Sequence, residues 1–338
     1  MRPGAADESP ISGRGRRPRI ALTKTPIKVG VVGVGAFGSH HARHYAANPS
    51  ATLVALADAD DARARAAAAR YGGRAVADWR DMIGEIEGVS IAVPASMHAQ
   101  VAGVFIDAGV HVLIEKPIAL VSSEARDLIR RAADRGVVLQ VGHVERFSPA
   151  IEALAERVAN PRRISCVRRA RWSGRSADVD VVLDLMIHDI GHVLMLAGQA
   201  PASVSAGGRV GRSGFVDEAE AWLTFPGGLI ATLSASRVAE ANERSLVVTE
   251  PDVVYRADLA TPGLTVADRG HWGSPDVPVA LPARDNLGAE IDAFLTSVSM
   301  GAAPLIGGRE GLAALEVAER IQAGIADADI PAVRSAAV

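Results

Sequence analysis

Four ionisable side chains stand in apolar stretches that give no obvious reason for a charge. Lys116 closes the run Val-His-Val-Leu-Ile-Glu-Lys-Pro at 110–117. Val110, Val112, Leu113 and Ile114 are the residue types of a parallel strand covered on both faces, and Pro117 blocks its extension. Ligands of open α/β sheets bind beyond the carboxyl ends of the strands. An amine at that point is placed for chemistry, or is simply a solvated loop lysine. Asp184, His188 and His192 recur at four-residue spacing within 181–192. On an α-helix they share one face, with Leu183, Met186, Ile187, Ile190, Leu194 and Met195 available for packing around them. Burial of such groups without partners costs several kcal/mol, so the line needs a reason. Three roles fit it. Asp184 and His188 form a structural pair; or the three residues bind a metal, although no cysteine or fourth ligand stands nearby; or His188 is an acid–base group oriented by Asp184.

The elements that must position these groups are legible upstream. Residues 27–34 read as a strand that runs into Gly33-x-Gly35-x-x-Gly38, with helical composition following over 39–47. In this turn Gly33 permits the tight bend, Gly35 lets backbone approach a pyrophosphate, and Gly38 lets the helix pack closely. A second strand, 51–57, ends at Asp58, placed to accept hydrogen bonds from ribose hydroxyls. Asp60 and Asp61 follow and no basic residue comes immediately after, so the pattern favours NAD over NADP; the other role for Asp58 is a helix N-cap. Strands at 89–93, 110–114 and 137–141 alternate with helices at 96–108 and 122–135, which predicts a doubly wound parallel sheet. The NAD-binding Rossmann domain is therefore expected over 27–145.

The remainder, 146–338, reads as an α+β domain for substrate and oligomerisation. Residues 163–172 form a strand carrying Arg168, Arg169 and Arg171, which either meet a phosphate or make an exposed polar face. The helix with Asp184 and His188 spans 179–197. From 202 onward the apolar period changes to two, and 218–225 with 229–236 around Pro226-Gly-Gly228 predicts a hairpin in a large, predominantly antiparallel sheet. Helices are expected over 287–298 and 311–326.

Bulk properties exclude several classes. The formal net charge of -3 gives no reason to expect nucleic acid or a membrane surface as partner. Residues 1–26 hold six Lys/Arg against two Asp/Glu, net +4, and read as a disordered basic tail. A signal peptide is rejected, because cleavage in the apolar part would destroy the glycine turn. No apolar run reaches membrane-spanning length, and the single Cys166 allows no intrachain disulfide, so a cytoplasmic protein is expected.

Gly33-x-Gly35-x-x-Gly38, Asp58, Val93-Pro94-x-x-x-His98 and Glu115-Lys116-Pro117 resemble the Gfo/Idh/MocA family of nicotinamide-dependent sugar dehydrogenases. The resemblance covers 27 to about 326. It implies that Gly33, Gly35, Ala36, Phe37, Gly38, Asp58, Pro94, His98, Glu115 and Lys116 hold NAD, with no metal. It also implies a cis Lys116–Pro117 peptide and homodimers or homotetramers built through the C-terminal sheet. Asp184 and His188 match the family's Asp-x-x-x-His helix, which favours Lys116, Asp184 and His188 as catalytic residues. His188 is then the general base, Lys116 polarises the oxyanion and Asp184 orients His188; Lys116 as base is the opposite assignment. His143, Arg146 and His188 are expected at the substrate, with Lys116 and His188 facing one pocket beside the nicotinamide.

Residues 141–149 and 184–190 look like the UDP-N-acetylglucosamine 3-dehydrogenase branch, associated with the 2,3-diamino sugars of lipid A. Ser148 and Gly191 depart from it, standing where that branch usually has Asn and Asp. The expected reaction is oxidation at C3 of the nucleotide sugar to a ketone for a later aminotransferase. The alternatives are a cyclitol or free-sugar dehydrogenase and, from another class, a non-catalytic NAD-sensing protein.

Overall fold

The computed structural model describes residues 25–174, 178–269 and 275–327, so nearly all of the expected basic tail lies outside the described residues. Strands β1 (Ile27–Val32), β2 (Ala51–Ala57), β3 (Arg74–Val76), β4 (Gly88–Ile91), β5 (His111–Glu115) and β6 (Leu139–Gly142) form one sheet. Their order is β3-β2-β1-β4-β5-β6 and every neighbouring pair is parallel. The order reverses between β1 and β4, which is where such a sheet opens a crevice.

The strands are apolar almost throughout because each face meets a different core. Leu113 of β5 packs in the cluster that holds Val29, Val31, Leu56 and Tyr45, whereas its neighbours Val112 and Ile114 pack with Val89, Ile91 and Phe105. The first cluster takes α1 (Ala36–Ala47) and α2 (Asp61–Tyr71); the second takes α3 (His98–Asp107) and α4 (Ser122–Arg135). Three-residue β3 was not foreseen; it is too short to show a period.

After the short helix α5 (Pro149–Ala155), the chain enters a second sheet. It comprises β7 (Arg163–Arg169), β8 (Ser203–Val210), β9 (Val216–Thr224), β10 (Ile230–Ser236), β11 (Glu243–Thr249), β12 (Val253–Asp258), β13 (Gly263–Asp268) and β14 (Val277–Pro278). The order is β14-β13-β12-β11-β7-β10-β9-β8, antiparallel except where β10 runs parallel to β7. The expected hairpin is β9–β10, turned through Gly227 and Gly228, both at positive φ. Between β7 and β8 lie a π-helical turn, Val182–Met186, and the helix α6 (Ile187–Ala197).

The chain beyond 146 does not remain with the second sheet. Helix α7 (Asn286–Met300) returns to the first, where Ile291, Phe294 and Leu295 share a core with Val29 and Val31. Gln140 on β6 donates to the Glu290 carbonyl at 3.0 Å. The last helix, α8 (Gly308–Asp327), buries Leu315, Ala318 and Ile321 in the same cluster as Ile190 and Val193 of α6. Among the described residues, no helix is long and apolar enough to cross a membrane.

Candidate active site

The turn from β1 to α1 is built from three glycines with different jobs. Gly33 has φ +83°, and a Cβ there would stand 2.6 Å from the Ala92 carbonyl oxygen. A Cβ on Gly38 would overlap the Gly33 carbonyl oxygen, so these two are required by packing alone. Gly35 has nothing within 4 Å of where a Cβ would be, leaving bare backbone open at the start of α1. The cleft above it encloses about 660 Å³. Of the residues expected to hold the cofactor, all but Gly38 line this cleft; Gly38 acts behind the wall.

Asp58 is not the N-cap of α2; Asp60 is, accepting from Ala62 and Arg63 N–H. Asp58 instead accepts from the Val34 N–H at 2.8 Å and the Asp60 N–H at 2.9 Å, tying the glycine turn to the end of β2. Its Oδ1 also receives Arg63 Nη1 at 3.1 Å. Arg63 lines the cleft and was missed, being five residues past Asp58 rather than next to it. Opposite, the His98 ring nitrogens lie 2.6 Å from the Pro117 carbonyl and 3.0 Å from the Val93 carbonyl, bracing the two loops. Burial pushes the His98 pKa down. Glu115 is held from behind by His41 Nε2 at 2.9 Å, whose Nδ1 lies 3.0 Å from Ser90 Oγ. An open glycine turn, a carboxylate at the end of β2 and a cleft of this size fit a dinucleotide.

Lys116, followed by a cis peptide to Pro117, reaches out of this cleft to the second half of the chain. Its Nζ donates to the Asp184 carbonyl at 2.5 Å and lies 3.6 Å from Asp184 Oδ1. Asp184 sits in the π-helical turn, which carries one more residue per turn than the α-helix assumed from sequence. The three-residue line is therefore broken. Asp184 forms no hydrogen bond with His188 among the described residues; its carboxylate lies between Lys116 and Arg237 Nη1, 3.6 Å from each. Nor do Asp184, His188 and His192 bring three donor atoms together for a metal.

His188 is half-buried and stands edge-on to His143, with ring centroids 6.2 Å apart. Burial first, then the nearby Lys116 charge, pushes its pKa well below the ordinary value, so it is neutral at pH 7. It is close enough to feel Lys116 but does not line the cleft, contrary to the expectation of one shared pocket. His143 and Arg146 depart further. They line a separate cavity of about 560 Å³ between α6 and α8, into which Gly191 also opens. Burial and the surrounding positive charges take the His143 pKa down to about 3.

Arg168 is neither an exposed face nor a phosphate ligand. It is buried and grips Glu145 at 2.7 and 2.5 Å and Asp189 at 2.9 and 2.8 Å. Each partner's charge keeps Arg168 protonated, and Arg168 holds the Glu145 carboxyl well below the usual range despite burial. This triad ties β7, the turn after β6 and α6 together, with Asp189 next to His188 in the chain.

Residues 27–143 match the Gfo/Idh/MocA oxidoreductase family's NAD-binding Rossmann fold, and 153–250 match the C-terminal domain of the same family. A UDP-N-acetylglucosamine 3-dehydrogenase of Acidithiobacillus ferrooxidans is 38% identical over 280 residues, covering 81% of this chain and 89% of that enzyme. The chain belongs to the Gfo/Idh/MocA family. A solved structure of the Acidithiobacillus enzyme superposes with TM-score 0.84 at 36% identity, covering 89% of this chain and 98% of that one. An inositol 2-dehydrogenase of Rhizobium meliloti is 27% identical over 321 residues, 89% of this chain and 97% of the relative. As a member of this family the chain is an NAD-dependent oxidoreductase of the sugar dehydrogenase type, and the open glycine turn lies within the part that matches the family's NAD-binding fold.

Proposed function

We propose that the protein oxidises the C3 hydroxyl of UDP-N-acetylglucosamine to a ketone, with Lys116 meeting the hydroxyl. One observation carries the site: Lys116, on the wall of the cofactor cleft, is held by Asp184 from the second half of the chain. Likeness over most of both chains to the Acidithiobacillus enzyme supports the substrate. NAD, when bound, supplies the hydride acceptor. Lys116, held in place by Asp184, polarises the alcohol and stabilises the oxyanion as the hydride leaves. His188, neutral next to Lys116, takes the proton; its weak basicity is offset because the same amine lowers the acidity barrier of the alcohol. Asp184 serves Lys116 here, where the sequence had assigned it to His188. A second reading, Lys116 itself as base, draws support from the absence of His188 from the cleft wall.

The 3-keto sugar suits a following aminotransferase, as in assembly of lipid A diamino sugars. We place the protein in the cytoplasm as a homo-oligomer. The sheet face carrying Trp222, 46% exposed, and Ile230, 37% exposed, is its contact surface. A screen of NAD reduction across UDP-sugars, myo-inositol and glucose, with an aminotransferase to draw off ketone, tests the substrate. Turnover with inositol but not the UDP-sugar refutes it, and binding of NAD with no turnover on any sugar favours a sensing role. With His188 as base, turnover stays level as pH falls through the ordinary histidine range. A rate that climbs through the alkaline range gives the base role to Lys116.

A further inference from the structure

Behind Asp184 lies a buried run of charge that the reaction as described leaves unused. Arg237, at the end of β10, is 4% exposed, and Asp217, on β9, is fully buried. Arg237 Nε donates to Asp217 Oδ1 at 2.6 Å, and its Nη2 donates to Ser213 Oγ at 2.8 Å. Ser213 in turn gives its hydroxyl to Asp217 Oδ1 at 2.6 Å and its backbone N–H to Oδ2 at 3.0 Å. The Arg237 guanidinium lies 5.8 Å from the Trp172 ring centroid, with Nη1 3.6 Å from Asp184 Oδ2. Asp184 Oδ1, on the other side, is 3.6 Å from Lys116 Nζ. Lys116, Asp184, Arg237 and Asp217 therefore alternate in sign from the cofactor cleft to the interior of the second sheet.

We propose that Arg237 and Asp217 are positioning residues that set, through Asp184, how firmly Lys116 holds its proton. Asp184 has two oxygens and two cations. Arg237 draws on the carboxylate that Lys116 needs, and Asp217 draws Arg237 back. The cation and anion are both buried where water screens them little, so their fields reach the amine. The other titratable groups near Lys116 are three imidazoles, Glu115 and, on the same cleft wall, the exposed Asp178. His98 and His143 are buried and His188 half-buried, all three imidazoles with lowered pKa values, and the Glu115 carboxylate is engaged by His41. The inference rests on Lys116 working in the cleft, but its test needs no substrate.

The ladder predicts shifts of opposite sign. Arg237→Gln removes a positive charge behind Asp184 and raises the pH at which Lys116 loses its proton by about one unit. Asp217→Asn removes the negative charge behind Arg237 and lowers it by about half a unit. Arg237→Lys keeps the charge and leaves the midpoint near that of the parent. Trace acetylation with acetic anhydride across the alkaline range, read as acetyl-Lys116 by peptide mass spectrometry, reports the free amine directly. Circular dichroism confirms that each variant is folded. A purely structural role moves melting but not the midpoint, and unmoved midpoints, or two shifts of the same sign, overturn the proposal. If Asp217→Asn does not fold, the contrast between Arg237→Gln and Arg237→Lys decides alone, and equal midpoints overturn it. Opposed shifts in a protein inactive on UDP-N-acetylglucosamine refute the substrate and leave the ladder standing.

Discussion

Arg168→Met separates the scaffold of the site from its chemistry. Arg168 is 2% exposed and supplies four N–H···O contacts, two to Glu145 and two to Asp189. Methionine fills much of the volume but leaves two carboxylates facing each other in the interior. Among the described residues Asp189 then keeps only the His192 ring, 3.8 Å away, while Glu145 retains Arg244 at 3.3 Å near the surface. Breaking a buried ion cluster from one side costs about 3–5 kcal/mol. At about 2–4 °C per kcal/mol for a chain of this size, melting should fall by about 10 °C. Arg168→Lys should fall less, because the charge remains while the two-pronged grip is lost. Removing the charges together, in Arg168→Met/Glu145→Gln/Asp189→Asn, should recover much of the loss, because no uncompensated carboxylate is left. The assay is thermal unfolding by circular dichroism, paired with NADH fluorescence titration on the folded protein. NADH affinity should hold, since Gly33, Gly35 and Asp58 lie on the other sheet, while turnover drops as α6 loses its seat. Melting of Arg168→Met within about 2 °C of the parent would refute the view that this triad holds α6 in place.

Two glycine substitutions should part company. Gly35→Ala meets no protein atom and should fold like the parent yet weaken NADH binding at least about tenfold, whereas Gly38→Ala collides with the Gly33 carbonyl and should lower melting as well. Fluorescence titration and thermal unfolding check both. Asp58→Ser frees Arg63 from its 3.1 Å partner on the cleft wall and should shift preference toward NADPH, read as the ratio of the two dissociation constants. His143, with its pKa lowered to about 3, makes the fold acid-sensitive. The unfolded chain binds this proton near the ordinary histidine pKa of about 6.5 and the folded chain does not, so stability is lost as pH falls below about 6.5. The loss runs at about 1.4 kcal/mol per pH unit and stops near the folded pKa. His143→Gln should flatten melting temperature against pH across that window, and an equally steep profile in the variant would count against it.

What the sequence determined by itself was whatever short-range rules govern. The glycine turn, the strand ending at Asp58 and the charged end of β5 each place their residues through neighbours a few positions away. The parallel alternation and the period-two hairpin likewise follow from local patterning, so the two-sheet architecture was readable. Tertiary structure decided the rest. A one-residue change of phase at Val182–Met186 moved Asp184 from His188 to Lys116, and no i, i+4 pattern registers a π-helical turn. Arg168 could not be told from an exposed arginine, because its partners Glu145 and Asp189 come from other segments. His143 and Arg146 went to a second cavity because α8, over 150 residues later, packs against α6 to form its wall. Lys116 itself looked like an ordinary loop lysine within its own strand. Only the return of the chain with Asp184 makes it the point where both halves meet, because charge pairing depends on distance in space and not along the chain.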